Sequence, residues 1–508
     1  MRTTKNGCRA ALLAASLTAA VVMAAPPAAA ADPAKVAPAK AAPAAKTPAG
    51  SSTAPKWTIP TAIKKLPNGL QVVVSEDHST PTFGISTVYH VGFRLEPKGR
   101  TGFAHLFEHM MFEGSPDAPK GVYSRVVEGG GGIDNGSTRF DYTNYIASAP
   151  VSALEPILWL EAGRMKTLNF SPENLANQRD VVKEEIRVNV KNRPYGLFFW
   201  TDLGGLAFDK WENAHDGYGS FTDLDAATLA DVEAFHKTYY APNNAAIAIA
   251  GDVKPEEAFA LVEKYFGGIP SQTVPPLPDV KEAPNTKERT LTQTDPFARV
   301  PGLAIGYKLP GPHDPDYAAL ALLGDLLVNG DASRLYQGLV KRDQVLLQVS
   351  GGVGWPLGDP VTIDGPIMLV VFGLYKPNTS AAAVTAAVQK EIDAIAKDGV
   401  PEAELARTRT STLSDFYSNL ERLINRADLL AIRQLFTGNA ATINDVPGQI
   451  AAVTSADLKR VAARWLTPAN RSSVDRQPAP AEGPKTSDAA KPGGAAKPPD
   501  APKGGSKP

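Results

Sequence analysis

The sequence predicts an α+β fold made of two similar halves, and three observations carry that reading. Strand-type and helix-type runs alternate over about 420 residues, from Trp57 to Ser473. A proline-rich stretch, Ile269-Pro270-Ser271-Gln272-Thr273-Val274-Pro275-Pro276-Leu277-Pro278, divides this region near its middle. On each side of it the same order recurs: a strand pair, helical patterns, a second strand pair, then long helices. The letters alone share too little identity to establish a duplication.

In the first half, β-type runs occupy 70–75, 83–91, 133–138 and 142–149, and long helices are expected at 151–167 and 171–192. In the second half the matching strands are 290–294, 302–308, 346–352 and 367–374, with helices at 380–397 and 402–435. Each sheet is expected to be mostly antiparallel and packed with helices. The ends differ in kind. Arg2, Lys5 and Arg9 precede an apolar stretch at 10–25, and Ala29-Ala30-Ala31 stands before Asp32, the pattern of a cleaved secretory signal. A membrane anchor is the other reading, but the apolar run falls short of the ~20 residues a span needs. The expected division is a signal peptide at 1–31, an Ala/Pro/Lys-rich disordered linker at 32–56, and a first domain at 57–270. A linker at 271–287, a second domain at 288–473 and a Pro/Ala/Gly/Lys-rich disordered tail at 474–508 complete it.

Charge and cysteine content narrow the chemistry. With 52 basic and 53 acidic side chains the net charge is −1, which argues against a dedicated nucleic-acid binder. Losing the three positive side chains of the signal takes that to −4. The one cysteine, Cys8, leaves with the signal, so the mature chain has no thiol for nucleophilic or metal chemistry. No later segment is long and apolar enough to span a bilayer. Export to a periplasm or secretion is therefore expected.

The sharpest motif is Gly102-Phe103-Ala104-His105-Leu106-Phe107-Glu108-His109-Met110-Met111-Phe112. His105 and His109 lie four apart, so a helix stacks both imidazoles on one face, with Glu108 beside them. Two imidazoles suit Zn²⁺, and a carboxylate that does not bind the metal can take a proton from metal-bound water. The helix is apolar almost all round and reads as buried, where polar groups are costly unless something satisfies them. A third ligand is required. On a helix through 178–186, Gln178, Val181, Val182, Glu185, Ile186 and Asn189 share one face, and Glu184 points away to solvent. Glu185 is the candidate ligand, with a salt bridge as its other reading.

These residues resemble the insulinase/pitrilysin metallopeptidases, whose inverted zinc motif H-x-x-E-H is followed by a glutamate, here 76 residues past His109. Val88-Tyr89-His90-Val91-Gly92, Asn135-Gly136-Ser137-Thr138 with Asp141, Thr143 and Tyr145, Tyr239-Tyr240-Ala241-Pro242-Asn243-Asn244 and Ala250-Gly251-Asp252 fit as well. In size the chain is similar to the bacterial two-domain members and to the β subunit of mitochondrial processing peptidase. The resemblance implies two domains enclosing a chamber and one zinc ion per chain. It implies His105, His109 and Glu185 as metal ligands and Glu108 as general base. It also makes Asn135, Gly136, Ser137 and Thr138 a substrate-binding edge that pairs with extended peptide.

Two departures stand out. Many members carry a second glutamate seven residues before the ligand glutamate; here that position is Gln178, which supports the site without charge. Members that complete the site from the second domain use an Arg and a Tyr seven apart after a Ser-Arg-Leu-Phe/Tyr stretch. Here Ser333-Arg334-Leu335-Tyr336 is followed by Val340 and Leu347 in that register. The implied assembly is a heterodimer in which a zinc-less relative brings the Arg/Tyr pair. The expected protein is an exported zinc metalloendopeptidase of extended or unfolded peptides; a non-catalytic binding or assembly subunit of the same fold is the alternative. No nucleic acid is expected as a partner, and no integral membrane segment after signal cleavage.

Overall fold

The structure is a computed structural model that describes residues 57–480. The expected signal peptide, the 32–56 linker and most of the tail lie outside the described residues.

In the first half, β1 (Ala62–Lys65), β2 (Gln71–Glu76) and β3 (Thr82–Tyr89) precede a short hairpin of β4 (Gly114–Ser115) and β5 (Ala118–Pro119). Then come β6 (Ile133–Thr138), β7 (Thr143–Pro150) and β8 (Ala245–Gly251). The main sheet has the order β1-β2-β8-β3-β7-β6, and β6 is an edge. In the second half, β9 (Arg289–Asp295), β10 (Gly302–Leu309), β11 (Leu346–Val353), β12 (Ile367–Tyr375) and β13 (Arg471–Pro478) form the order β11-β12-β10-β13-β9. Remove β1 and the two sheets have one topology. In each, one parallel pair (β2 with β8, β13 with β9) adjoins an antiparallel run. The α+β class with mostly antiparallel sheets is what the sequence predicted.

Three expectations need correction. First, 474–478 do not belong to a tail. They complete β13, which lies between β10 and β9 with Val474 fully buried. The strand reads as polar because its charges are paired: Tyr375 donates to Asp475 at 2.7 Å, and Arg471 donates to Glu288 at 2.8 Å. Second, the helix expected at 402–435 is two, Glu402–Glu421 and Leu423–Thr437, broken where Arg422 turns extended (ψ 115°). The break sends the second helix across to the first sheet, against β3 and β8. Alternation along β8 explains the fit. Ala248 and Ala250 face Leu430, Ala431 and Ile432 of that helix, while Ile247 and Ile249 enter the core on the other face. Reciprocally, the first-half helix Phe198–Ala207 packs on β9, β10 and β13. Third, the helix expected at 171–192 is α-helical only over Pro172–Ile186 and continues as a π-helical turn, Arg187–Lys191. Val181, placed on the buried face, is 37% exposed, because the contact stripe is narrower than the apolar letters.

Among the described residues, no helix is long and apolar enough to cross a membrane.

Candidate metal centre

Every residue of the helix Phe103–Met110 is buried. Its N-terminus has no side-chain cap of its own, since Gly102 starts it in the left-handed region (φ +79°). A Cβ there would lie 2.4 Å from the Tyr218 carbonyl, so only glycine fits. The orphan amides are satisfied from outside. The Glu96 carboxylate accepts from Gly102 N at 3.0 Å and Ala104 N at 2.8 Å, and lies 3.2 Å from His215 Nε2. Glu96 and His215 thus anchor the motif helix, a role the sequence did not announce.

The helix brings His105 Nε2 and His109 Nε2 to 3.3 Å of each other. Glu185 Oε2, from the Pro172–Ile186 helix, lies 3.7 Å from the first and 3.4 Å from the second. Glu184 projects to solvent and pairs with Arg187 at 2.9 Å. Among the described residues, His105, His109 and Glu185 are the group whose donor atoms converge, all within 4.8 Å. This donor set fits zinc: tetrahedral ligands at about 2.0–2.1 Å stand about 3.3 Å from one another. Burial pushes His105 towards its neutral form. Burial would lower His109 as well, but the hydrogen bond of Glu185 and the charges of Glu108 and Glu185 outweigh it and raise it. Burial would raise Glu185 too, but the hydrogen bond and charge of His109 and the charge of His105 outweigh it and hold it low. Tyr218 and Asn189 complete the surround. Asn189, on the π-helical turn, donates to Glu185 Oε1 at 3.5 Å and to the Tyr218 hydroxyl at 3.4 Å. Burial first, then the Glu185 charge, raises the Tyr218 phenol, which therefore stays a donor.

Glu108 is 3% exposed and turns to the edge strand β6. Thr138 Oγ1 donates to its Oε2 at 2.6 Å. A Cβ on Gly136 would sit 3.2 Å from its Oε1 and 3.1 Å from the Phe112 ring. Gly136 and Thr138 thus share the motif-helix face of β6. On the other face, Ser137 donates to Asn144 Oδ1 at 2.5 Å, and Asn144 donates to Asp428 Oδ1 at 2.6 Å, tying the edge to the exchanged helix. Asn135 is exposed. Gln178, 8% exposed, donates to Glu113 rather than lying unpartnered.

The second half brings no arginine to this cluster from its Ser-Arg-Leu-Tyr stretch. Arg334 is committed to Glu404 through two bonds of 2.8 Å, Val340 packs on the second core, and Leu347 is 46% exposed on β11. Asp141 joins the halves: it pairs with buried Arg94, which also donates to Pro366 O, and accepts from Asp364 N at 3.0 Å.

A two-domain fold with an inverted His-x-x-Glu-His helix and a distant glutamate at its metal-type cluster defines a class of metallopeptidases, and comparison with known proteins agrees. Residues 71–197 match the family model "Insulinase (Peptidase family M16)" and residues 226–412 match "Peptidase M16 inactive domain", together more than half of the chain. The zinc protease PqqE of Helicobacter pylori is 29% identical over 416 residues, covering 81% of this chain and 92% of that protein. A probable mitochondrial-processing peptidase subunit β of Arabidopsis thaliana is 23% identical over 425 residues, covering 80% of this chain and 76% of that protein. The crystal structure of a protease from Helicobacter pylori superposes with a TM-score of 0.77 at 27% identity, covering 83% of this chain and all of that one. The chain belongs to the insulinase (M16) peptidase family.

Proposed function

We propose that the chain is an exported zinc endopeptidase that hydrolyses extended or unfolded peptides, with one zinc ion held by His105, His109 and Glu185. The observation that carries this reading is the convergence of those three donors beside a buried Glu108 that faces an edge strand. Zinc, when bound, supplies a Lewis acid for the scissile carbonyl. Glu108 takes the proton of the attacking water and returns it to the leaving amine. Thr138 holds one carboxylate oxygen, so the other stays turned to the substrate edge. The free side of β6 offers backbone donors and acceptors at Asn135–Thr138 that pair with an extended chain irrespective of its side chains. The missing Arg/Tyr register supports a heterodimer in which a zinc-less relative supplies those groups for the developing oxyanion. The basic–apolar–small N-terminal pattern supports export.

The test is to co-express the chain with a relative of similar length that lacks H-x-x-E-H but carries R-x₆-Y. Zinc content and cleavage of an unstructured peptide are then measured, with Glu108→Gln alongside. Retained zinc with lost cleavage supports the mechanism, and cleavage that survives the substitution refutes it. Full activity of the chain alone, unchanged by any partner, refutes the heterodimer.

A further inference from the structure

The strand that faces Glu108 is weakly held by its own backbone. Among the described residues β6 pairs with β7 alone. It is entered through Gly129-Gly130-Gly131-Gly132 and carries a further glycine, Gly136. Glycine gives up the most conformational freedom on ordering and offers a strand no side chain to pack. Side chains on the two faces therefore supply much of the order. On the motif-helix face the tie is Thr138 to Glu108. A carboxylate that moves protons is a poor fixed anchor, which leaves the other face.

There a carboxylate of the second half reaches the strand. Asp428 lies on the helix Leu423–Thr437, seated on β3 so closely that a Cβ on Gly84 would lie 2.4 Å from Ile424 N. Arg426 of the same helix pairs with Asp77 at 2.7 Å. Asp428 is half-buried, and its Oδ1 accepts from the Asn144 amide at 2.6 Å and from Ser86 Oγ at 2.7 Å. Asn144 stands directly opposite Ser137 in the β6–β7 ladder. It is 3% exposed, so its amide finds its partners inside the protein. An amide has one donor end and one acceptor end. With its NH₂ held by Asp428, the Asn144 carbonyl is turned to β6, and Ser137 Oγ donates to it at 2.5 Å. The path Asp428–Asn144–Ser137 thus runs unbroken from the second half to the strand beside the metal-type cluster.

We propose that Asp428 is a positioning residue of the peptide-binding edge: through Asn144 and Ser137 the second half holds β6 extended before a peptide pairs with it. The half without metal donors thereby sets how tightly peptide binds, while proton transfer at Glu108 is left alone. This rests on the edge-pairing reading above and deepens it.

The experiment uses the full chain carrying Glu108→Gln, so that a bound peptide stays whole. Its affinity for a fluorescein-labelled random-coil peptide of Ala, Ser, Thr and Gln is read by fluorescence anisotropy, with zinc content and Tm measured alongside. Ser137→Ala is expected to weaken peptide binding about fivefold, with zinc content unchanged and Tm moved by no more than about 2 °C. Asp428→Leu is expected to weaken binding at least as much. The two together should lose no more than the stronger of them, since both cut one path. Ser86→Ala removes the other bond to Asp428 and leaves the path to β6 whole, so affinity is expected to stay within about twofold. Ser137→Ala serves where Asp428→Leu does not fold. Unchanged affinity in Ser137→Ala or in Asp428→Leu overturns the inference. So does a double variant whose losses multiply, or a loss in Ser86→Ala equal to that in Ser137→Ala, the mark of a general loosening between the halves. Each of these outcomes leaves the zinc and edge-pairing readings standing. A parent chain that holds zinc yet binds no peptide overturns the edge-pairing reading and this inference together.

Discussion

The first sheet runs β2-β8-β3-β7-β6 beyond its extra edge strand β1 and the second β9-β13-β10-β12-β11, five strands with the same pairings, yet among the described residues only the first half carries the metal-type cluster. After the second strand of this core comes the helix Phe103–Met110 in the first half and, after β10, Tyr317–Val328 in the second. The first presents His105, Glu108 and His109. The second is built of Ala and Leu around a single charged side chain, Asp325. After β8 the chain forms the helix Pro255–Phe266, which covers β2 and the helix Leu154–Lys166. Among the described residues, the place between β9, β13 and the helix Ala381–Asp398 is a groove of about 620 Å³ lined by Leu291, Leu303, Ala382 and Arg471. The scaffold therefore holds without the chemistry. The chemistry itself comes down to a handful of side chains on one helix.

The sharpest way to break this comparison is to erase the chemistry while keeping the scaffold. Glu108→Gln should lower the peptide-cleavage rate of the assembled enzyme about a thousandfold, with zinc content and melting temperature preserved. Next comes the tie between the halves. Arg94→Met leaves Asp141 buried without its partner and should lower unfolding stability by about 3–5 kcal/mol, read from urea denaturation.

The second half offers a pH test. Burial raises the Asp325 carboxyl from its ordinary 3.8 to about 6. Between those values the folded state keeps a proton that the unfolded state has released, so this group's stabilisation is complete below pH 3.8 and falls as pH rises towards 6. Asp325→Asn keeps the acceptor for Thr412 and removes that loss. It should match the wild type near pH 4 and exceed it by roughly 2–3 kcal/mol above pH 6, measured by urea midpoints across the range. The smallest effect tests the edge. Gly136→Ala brings a methyl against the Glu108 carboxylate and should lower the cleavage rate about tenfold to a hundredfold, with zinc affinity unchanged.

How much of this was legible varied with how local the information was. His105, His109 and Glu185 could be read because helical periodicity places each on a face from its own segment's letters, and Glu184 could be set aside by the same geometry. The strand β6 was read with its observed bounds because its neighbours break cleanly into turns. By contrast, β8 is apolar on both faces and shows no polar alternation, so Ala245–Gly251 did not register as a strand. β13 carries Arg, Ser and Asp whose partners are distant in sequence, so its letters resemble a tail. Glu96, Glu113 and Tyr218 reach the site with nothing in their local pattern that points there, whereas Asn189 lies on the face it was expected to share with Glu185. Asp141, read with the family motif, proved to bind the halves together.

By itself the sequence determined the α+β class, the order of most elements, the motif helix and the three donors that suit a metal, because these depend on periods of two and 3.6 residues within single segments. Only the tertiary structure decided the exchange of helices between the halves and the capping of the motif helix by Glu96, while the edge position of β6 was expected from the family resemblance alone. The tertiary structure also placed Glu113 behind Gln178. The physical reason is common to all of them: a buried polar group or an open strand edge is defined by partners the chain brings from far away, and no local window contains both members of such a pair.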